Sequence, residues 1–205
     1  METAEVERLL ETATRLFAEL GYDGTTLQLV ADAAGVDVAD LRAFGDGKGG
    51  LYRAVFMRAD EAERDAMEPA LAAFTSDLPG VLRLVDAYLD FYVRRTDILA
   101  LWLHRWMGDA ADVPGLEDHY TTPLSRQVVD TVRHMIPPGA DADHVVWTIV
   151  WCVYGFLSGG VVYTDRETGP QRLRGQGVRA RDTAAVERFR AHLHMLVERM
   201  LTPPS

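Results

Sequence analysis

Val30–Tyr52 reads VADAAGVDVADLRAFGDGKGGLY, and its spacing decides how the rest of the chain is understood. Val30, Ala31 and Ala34 recur at helical spacing, Gly35 interrupts them, and Leu41 and Phe44 resume the apolar pattern. Two short helices crossing around a turn need this arrangement: a small residue, here Ala31, where the backbones approach, and a glycine where the chain reverses. Asp37 stands at the N-cap of the second helix, where a carboxylate accepts from free N–H groups of the first turn. The stretch predicts a helix-turn-helix. The second helix of such a unit enters the DNA major groove, yet here it carries Asp37 and Asp40 against a single Arg42.

Outward from this stretch the period stays helical. Val6, Leu9, Leu10, Ala13, Leu16, Phe17 and Leu20 follow the i, i+3, i+4, i+7 rule and predict an amphipathic helix over 2–20, ended by Gly21. Thr25 or Thr26 caps the next helix, whose apolar positions are Leu27, Val30, Ala31 and Ala34. GDGKGG breaks the third helix, and a long one runs from about Lys48 to Phe74. Pro79 opens a helix burying Leu82, Val85, Leu89 and Tyr92, and Asp97 starts another. GDAADVPG, residues 108–115, is a loop, and a helix around 117–136 is bent by Pro123. An apolar helix over 141–164, an exposed loop over 165–181 and a last helix over 183–200 complete the chain. No alternating run demands a sheet. The expected fold is all-α, with an N-terminal helix-turn-helix domain at 1–50 and a larger helical domain at 51–205.

Composition narrows the function. With 48% hydrophobic residues in 205, the chain can bury a substantial core. A net charge of −10 opposes general coating of nucleic acid, which needs a basic surface, but allows a small local contact. Val145–Thr164 has no charge and the length of a membrane span. Thr148, Cys152 and Ser158 interrupt it, and Asp141, Asp143 and Asp165 flank it where a span carries basic residues. It is read as a buried bundle helix, with no membrane partner. The single Cys152 cannot form an intrachain disulfide, and METAEVERLLETATRLF is acidic and helical rather than a secretory signal. A cytoplasmic location is expected.

LFAELGYDGTT (16–26), LVADAAGV (29–36), a short helix and a lysine opening a long helix follow one another in an order that resembles the TetR (tetracycline-repressor-like) family of bacterial regulators. The resemblance covers about residues 8–52. It implies a helical homodimer with an N-terminal DNA reader and a ligand-binding C-terminal domain, most often a repressor. It implies that Thr25 and Thr26 meet DNA phosphate at a helix N-terminus, that Lys48 touches backbone phosphate, and that Asp37, Val38, Asp40 and Arg42 belong to the reading helix. It further implies that the last two helices form the dimer. This chain departs from the family pattern: Arg42 replaces a tyrosine, Gly45 a phenylalanine, and Gly47 and Gly49 flank the lysine. Over residues 1–56 ten acids face five bases. Since phosphate neutralisation supplies most non-specific affinity, DNA binding should be weak and salt-sensitive.

Other chemistries find little support. GDGKGG lacks the P-loop glycine and Ser/Thr, those positions being Arg42 and Gly49. His192 and His194, two apart on a helix, do not make a metal face, and no nucleophile motif occurs. No enzyme, cofactor or metal is expected. The four tryptophans all lie between residues 102 and 151, which favours an aromatic small-molecule site over packing alone. Candidate ligand-binding residues are Tyr88, Tyr92, Trp102, His104, Trp106, Tyr120, Trp147 and Trp151. His104 also reads as an ordinary core or pocket-edge histidine. On the apolar helix Thr148, Cys152, Gly155 and Gly159 form a stripe of small residues that admits a second helix, the candidate dimer interface. Two functions remain: a regulator controlled by a small, largely apolar or aromatic molecule, or a TetR-like dimer that has lost its operator and binds ligands or proteins.

Overall fold

The computed structural model describes residues 3–161 and 182–202. Every regular element among them is helical: α1 Thr3–Leu20, α2 Leu27–Ala34, a short 3-10 helix Val38–Phe44, α3 Gly47–Ala72, α4 Leu78–Arg94, α5 Thr96–Trp106, α6 Thr122–Val132, α7 Ala142–Gly159 and α8 Thr183–Leu201. The all-α expectation holds. The exposed loop expected at 165–181 lies outside the described residues. The apolar helix, expected to reach residue 164, ends at Gly159 with Gly160 at a positive φ of 67°. Among the described residues no helix is long and apolar enough to cross a membrane.

The chain divides into two compact units, and the first is discontinuous: residues up to Ala62 together with Asp97–Pro123. Its core is built by the apolar stripe of α1 (Leu9, Ala13, Phe17), by Val30 and Ala31 of α2, and by Leu41, all fully or almost fully buried. Ala31 at no exposure leaves room for the neighbouring helix, as its small size predicts. An aromatic file then runs through the unit. Phe17 meets the edge of Tyr52 at 4.9 Å, Tyr52 lies 4.8 Å from both Tyr22 and Phe56, and Phe56 meets Trp102 edge-on at 4.6 Å. Such tilted and edge-to-face pairs add to the burial of the rings.

The Tyr52 hydroxyl in this file is buried with no hydrogen-bond partner among the described residues, and burial pushes its phenol well above the usual range. A buried polar group left unpaired costs about 1–3 kcal/mol. Tyr52→Phe keeps the ring and removes that group, so it is expected to raise the melting temperature, by about 1 kcal/mol of stability. A melting temperature equal to or below the wild type would show that the hydroxyl is satisfied.

The second unit holds Glu63–Thr96 and the residues from Leu124 onward. Val81, Leu84, Val85 and Leu89 of α4, Val153, Phe156 and Leu157 of α7, and Val186, Leu193 and Val197 of α8 are buried. Leu82, expected in the core, is half-buried because the buried face of α4 centres on Val81 and Val85. Phe156 and Phe189 stack in parallel with centroids 3.9 Å apart. Arg190 of α8 joins two turns of α4, with Asp86 at 2.8 Å and Asp90 at 2.6 Å, and His194 adds a 2.8 Å contact to Asp86.

The helix expected over 117–136 is present without interruption to Met135, its hydrogen-bond ladder altered at both ends. A wide turn at Glu117–Thr121 precedes α6, and a 3-10 turn at Arg133–Met135 follows it. Pro123 has no N–H for the carbonyl four residues back, so the ladder widens before it, and the Thr122 amide bonds to Glu117 five residues away.

Candidate nucleic-acid interface and dimer face

Two threonines precede α2, and the backbone uses them differently. Thr26 is extended (φ −110°, ψ 154°) and its hydroxyl accepts from the Leu29 amide at 3.1 Å, at the exposed start of the helix. Thr25 is fully buried, its hydroxyl donating to the Gly21 carbonyl at 2.7 Å. Of the two residues expected at a phosphate, only Thr26 is therefore placed to meet one. Gly35 closes α2 in the left-handed region, and the next helix begins at once.

Asp37 caps that helix as its position predicts, accepting from the Ala39 amide at 2.7 Å. Asp40 completes the cap: its carboxylate accepts from the Asp37 amide at 3.2 Å. The pair forms a capping box, in which two otherwise free amides are satisfied reciprocally. This accounts for the second aspartate without reference to DNA, a role the sequence reading missed although D-x-x-D was visible. The helix is a seven-residue 3-10 turn rather than an α-helix, and Leu41 alone is buried. Val38 is 38% exposed, and Asp40 and Arg42 both face solvent.

The glycines around the lysine shape the junction. A Cβ at Gly50 would lie 2.0 Å from the Phe44 carbonyl oxygen, so only glycine allows α3 to start there. Lys48 opens α3 half-buried, its ammonium 2.9 Å from the Tyr22 carbonyl and 4.1 Å from the centre of the Tyr22 ring. The lysine thus pins the α1–α2 turn. Val38 and Arg42 are exposed on the same unit, with Asp32, Asp37 and Asp40 among them.

The eight candidate ligand residues are divided between the units. Trp102 belongs to the first unit, 5% exposed against Phe56. His104 also belongs there, with Nε2 3.2 Å from the Ala18 carbonyl, as do the 41% exposed Trp106 and Tyr120, whose hydroxyl lies 3.4 Å from the Arg53 carbonyl. Tyr88, Tyr92, Trp147 and Trp151 belong to the second unit. There the Tyr92 hydroxyl donates to Glu63 at 2.9 Å and accepts from Tyr154 at 2.9 Å. Burial pushes the phenols of Tyr88, Tyr92 and Tyr154 well above the usual range. Tyr154 belongs to the same sequence stripe as Trp147 and Trp151, which the sequence leaves open between pocket and dimer rim, and Glu63 was not a candidate. A cleft of about 420 Å³ in this unit is lined by Arg64, Glu68, Leu71, Ala72, Leu124, Gln127 and Thr131, none of them among the eight.

Helix α7 separates its faces clearly. Ile149, Val153, Tyr154 and Phe156 are buried, whereas Thr148 and Cys152 are half-buried and Gly155 and Gly159 exposed. A Cβ added at Gly155 or Gly159 would meet nothing within 4 Å. Trp151, 52% exposed, stands beside this stripe, 6.2 Å from Trp147. The small-residue stripe is thus turned away from the core that Tyr154 enters.

Two helices crossing at a glycine turn on a capped three-helix unit define a helix-turn-helix protein. Within that class, residues 9–55 match the profile described as bacterial regulatory proteins, tetR family. Residues 9–55 therefore resemble the N-terminal domain of that family. The fold of the whole chain agrees. It resembles the TetR family transcriptional regulator PfmR from Thermus thermophilus, at 20% identity and TM-score 0.62, covering 97% of this chain and 98% of that one. It also resembles the ketosteroid transcriptional regulator KstR2 of Mycobacterium tuberculosis, at 17% identity and TM-score 0.66, covering 99% and 97%. AibR, solved in complex with isovaleryl coenzyme A and operator DNA, aligns at 14% identity and TM-score 0.64 over 94% and 97%. No curated protein matches the chain.

Proposed function

We propose that this protein is a ligand-responsive transcriptional regulator, a repressor, that binds operator DNA as a homodimer. The observation that carries the reading is the capped helix-turn-helix over α2 and Val38–Phe44, within the segment that matches the family. Thr26 and the α2 N-terminus take a phosphate, where free amides favour an anion. Val38 and Arg42 face the groove, and Lys48 adds a phosphate contact at the start of α3. Thr148, Cys152, Gly155 and Gly159 with α8 form the dimer contact, supported by their outward position on α7.

The effector is small and largely apolar or aromatic. Support comes from a structural neighbour named for a ketosteroid and from the rings of the second unit. Tyr88 and Tyr92, whose hydroxyls cluster with Tyr154 and Glu63, supply the few polar tips such a site needs. Trp147 and Trp151 border it or the dimer face. Trp102, His104, Trp106 and Tyr120, the other candidate ligand residues, lie in the first unit. Binding favours one of two conformations and so changes the spacing of the reading heads.

One observation favours a second reading, a dimer without an operator: Asp32, Asp37 and Asp40 are all exposed on the reading unit. Fluorescence anisotropy at low salt separates the two, using a duplex from upstream of the protein's own gene and a scrambled duplex of equal length. Tighter binding to the upstream duplex supports the regulator. Equal, weak binding supports the second reading.

Arg42→Ala distinguishes base from phosphate contact at the reading helix. Loss of a base-edge contact costs about 1–3 kcal/mol on the preferred duplex and little on the scrambled one. Equal losses on both would assign Arg42 to the backbone.

A further inference from the structure

The first unit contains a segment far from the reader in sequence. Asp97–Pro123 packs with residues up to Ala62, and the chain enters and leaves it from the second unit at Thr96 and Leu124. One residue of this segment reaches the α1–α2 turn with both carboxylate oxygens. Asp109 accepts from the Tyr22 amide at 2.5 Å and from the Asp23 amide at 3.1 Å. Two consecutive amides beyond the end of α1 are thereby satisfied by one side chain.

The same turn carries the groups that would face DNA. The Tyr22 carbonyl receives both the Lys48 ammonium and the Thr25 amide, and Thr26, the cap of α2, follows directly. Gly21 is fitted to the approach of the segment. Its φ is +74°, and a Cβ there would lie 3.0 Å from an Asp109 carboxylate oxygen and 3.3 Å from His104 Nδ1. Asp109 is itself held: Arg105 donates to the backbone carbonyls of Asp109 and Ala110 and pairs with Glu117 at 2.6 Å.

We infer that Asp109 is a positioning residue of the DNA reader, a clamp by which segment 97–123 sets the α1–α2 turn and with it Lys48 and the start of α2. The inference rests on the regulator reading. A clamp acting through backbone amides changes how well the phosphate and base contacts fit together, and so changes discrimination between sequences more than affinity for DNA in general.

The test uses the full chain as wild type, Asp109→Ala, Asp109→Asn and Asp118→Ala, the last removing one negative charge from an exposed position of the same segment. Amide hydrogen exchange is read at Tyr22 and Asp23, and binding is compared on the upstream and scrambled duplexes. Asp109→Ala is expected to lose protection at both amides and to reduce the upstream-to-scrambled ratio about tenfold. Asp109→Asn, which keeps one acceptor oxygen, recovers part of both, and Asp118→Ala changes neither. An Asp109→Ala protein with wild-type protection, or with a wild-type ratio, overturns the inference. The same holds if Asp109→Asn, folded by circular dichroism, shows no change in either. If the wild type itself does not discriminate the duplexes, the regulator reading falls, and exchange alone decides whether the clamp exists.

Discussion

Gly155→Leu is expected to convert the protein from a dimer to a monomer at micromolar concentration while leaving each protomer folded. In the protomer a Cβ at this position meets nothing within 4 Å, so the substitution introduces no internal clash. Helix propensity even improves when glycine is replaced within α7. At a twofold interface the added side chain appears twice, because the same patch meets itself. Overpacking costs about 1–3 kcal/mol for each site, and roughly every 1.4 kcal/mol is tenfold in affinity. Sedimentation velocity reads the outcome, with thermal melting as the check on the fold. A variant that remains dimeric with wild-type affinity would place the interface elsewhere. Operator binding should fall with the dimer, since one head reaches one half-site only.

Lys48→Ala is expected to weaken binding to every duplex alike, by about tenfold or more at moderate salt. On the proposed reading the lysine supplies one phosphate contact per protomer of a dimer, and each released counterion contributes about 0.9 to the salt slope, so about two units of slope should be lost. Its second task, pinning the Tyr22 carbonyl, is separable. Lys48→Met keeps the apolar stem over the Tyr22 ring and removes the charge, so its slope should match that of Lys48→Ala. An unchanged slope in both variants would mean that the ammonium is used only inside the protein.

The parts of the reader legible from sequence are those set by neighbours in the chain. The α1 stripe, the Gly35 cap and the Asp37 cap follow from spacing and from single side-chain geometries, and the structure contains all three. Local rules would also have sufficed for Asp40, whose capping role the sequence reading missed, since a capping box needs only residues three apart. They could not separate Thr25 from Thr26. Which of two adjacent hydroxyls turns inward depends on the Gly21 carbonyl, placed by the end of α1. Nor could they join Asp109 to Tyr22 across 87 positions: the loop GDAADVPG shows turn residues, and nothing in it names a distant amide. The division of the aromatic residues between the two units was illegible for a similar reason. Trp102 completes a file of rings in the first unit, while Tyr92 and Tyr154 meet over Glu63 in the second, and composition alone cannot assign rings to cores.

The most direct measurement is a hydroxyl-radical footprint of the purified protein on DNA from upstream of its own gene at low salt. A dimeric reader should protect two half-sites about one helical turn apart, ~34–36 Å, with protection fading steeply as salt rises. Gly155→Leu should abolish the paired pattern. Absence of any protected site on this DNA at low salt, with the wild type folded and dimeric, would contradict operator binding by this chain.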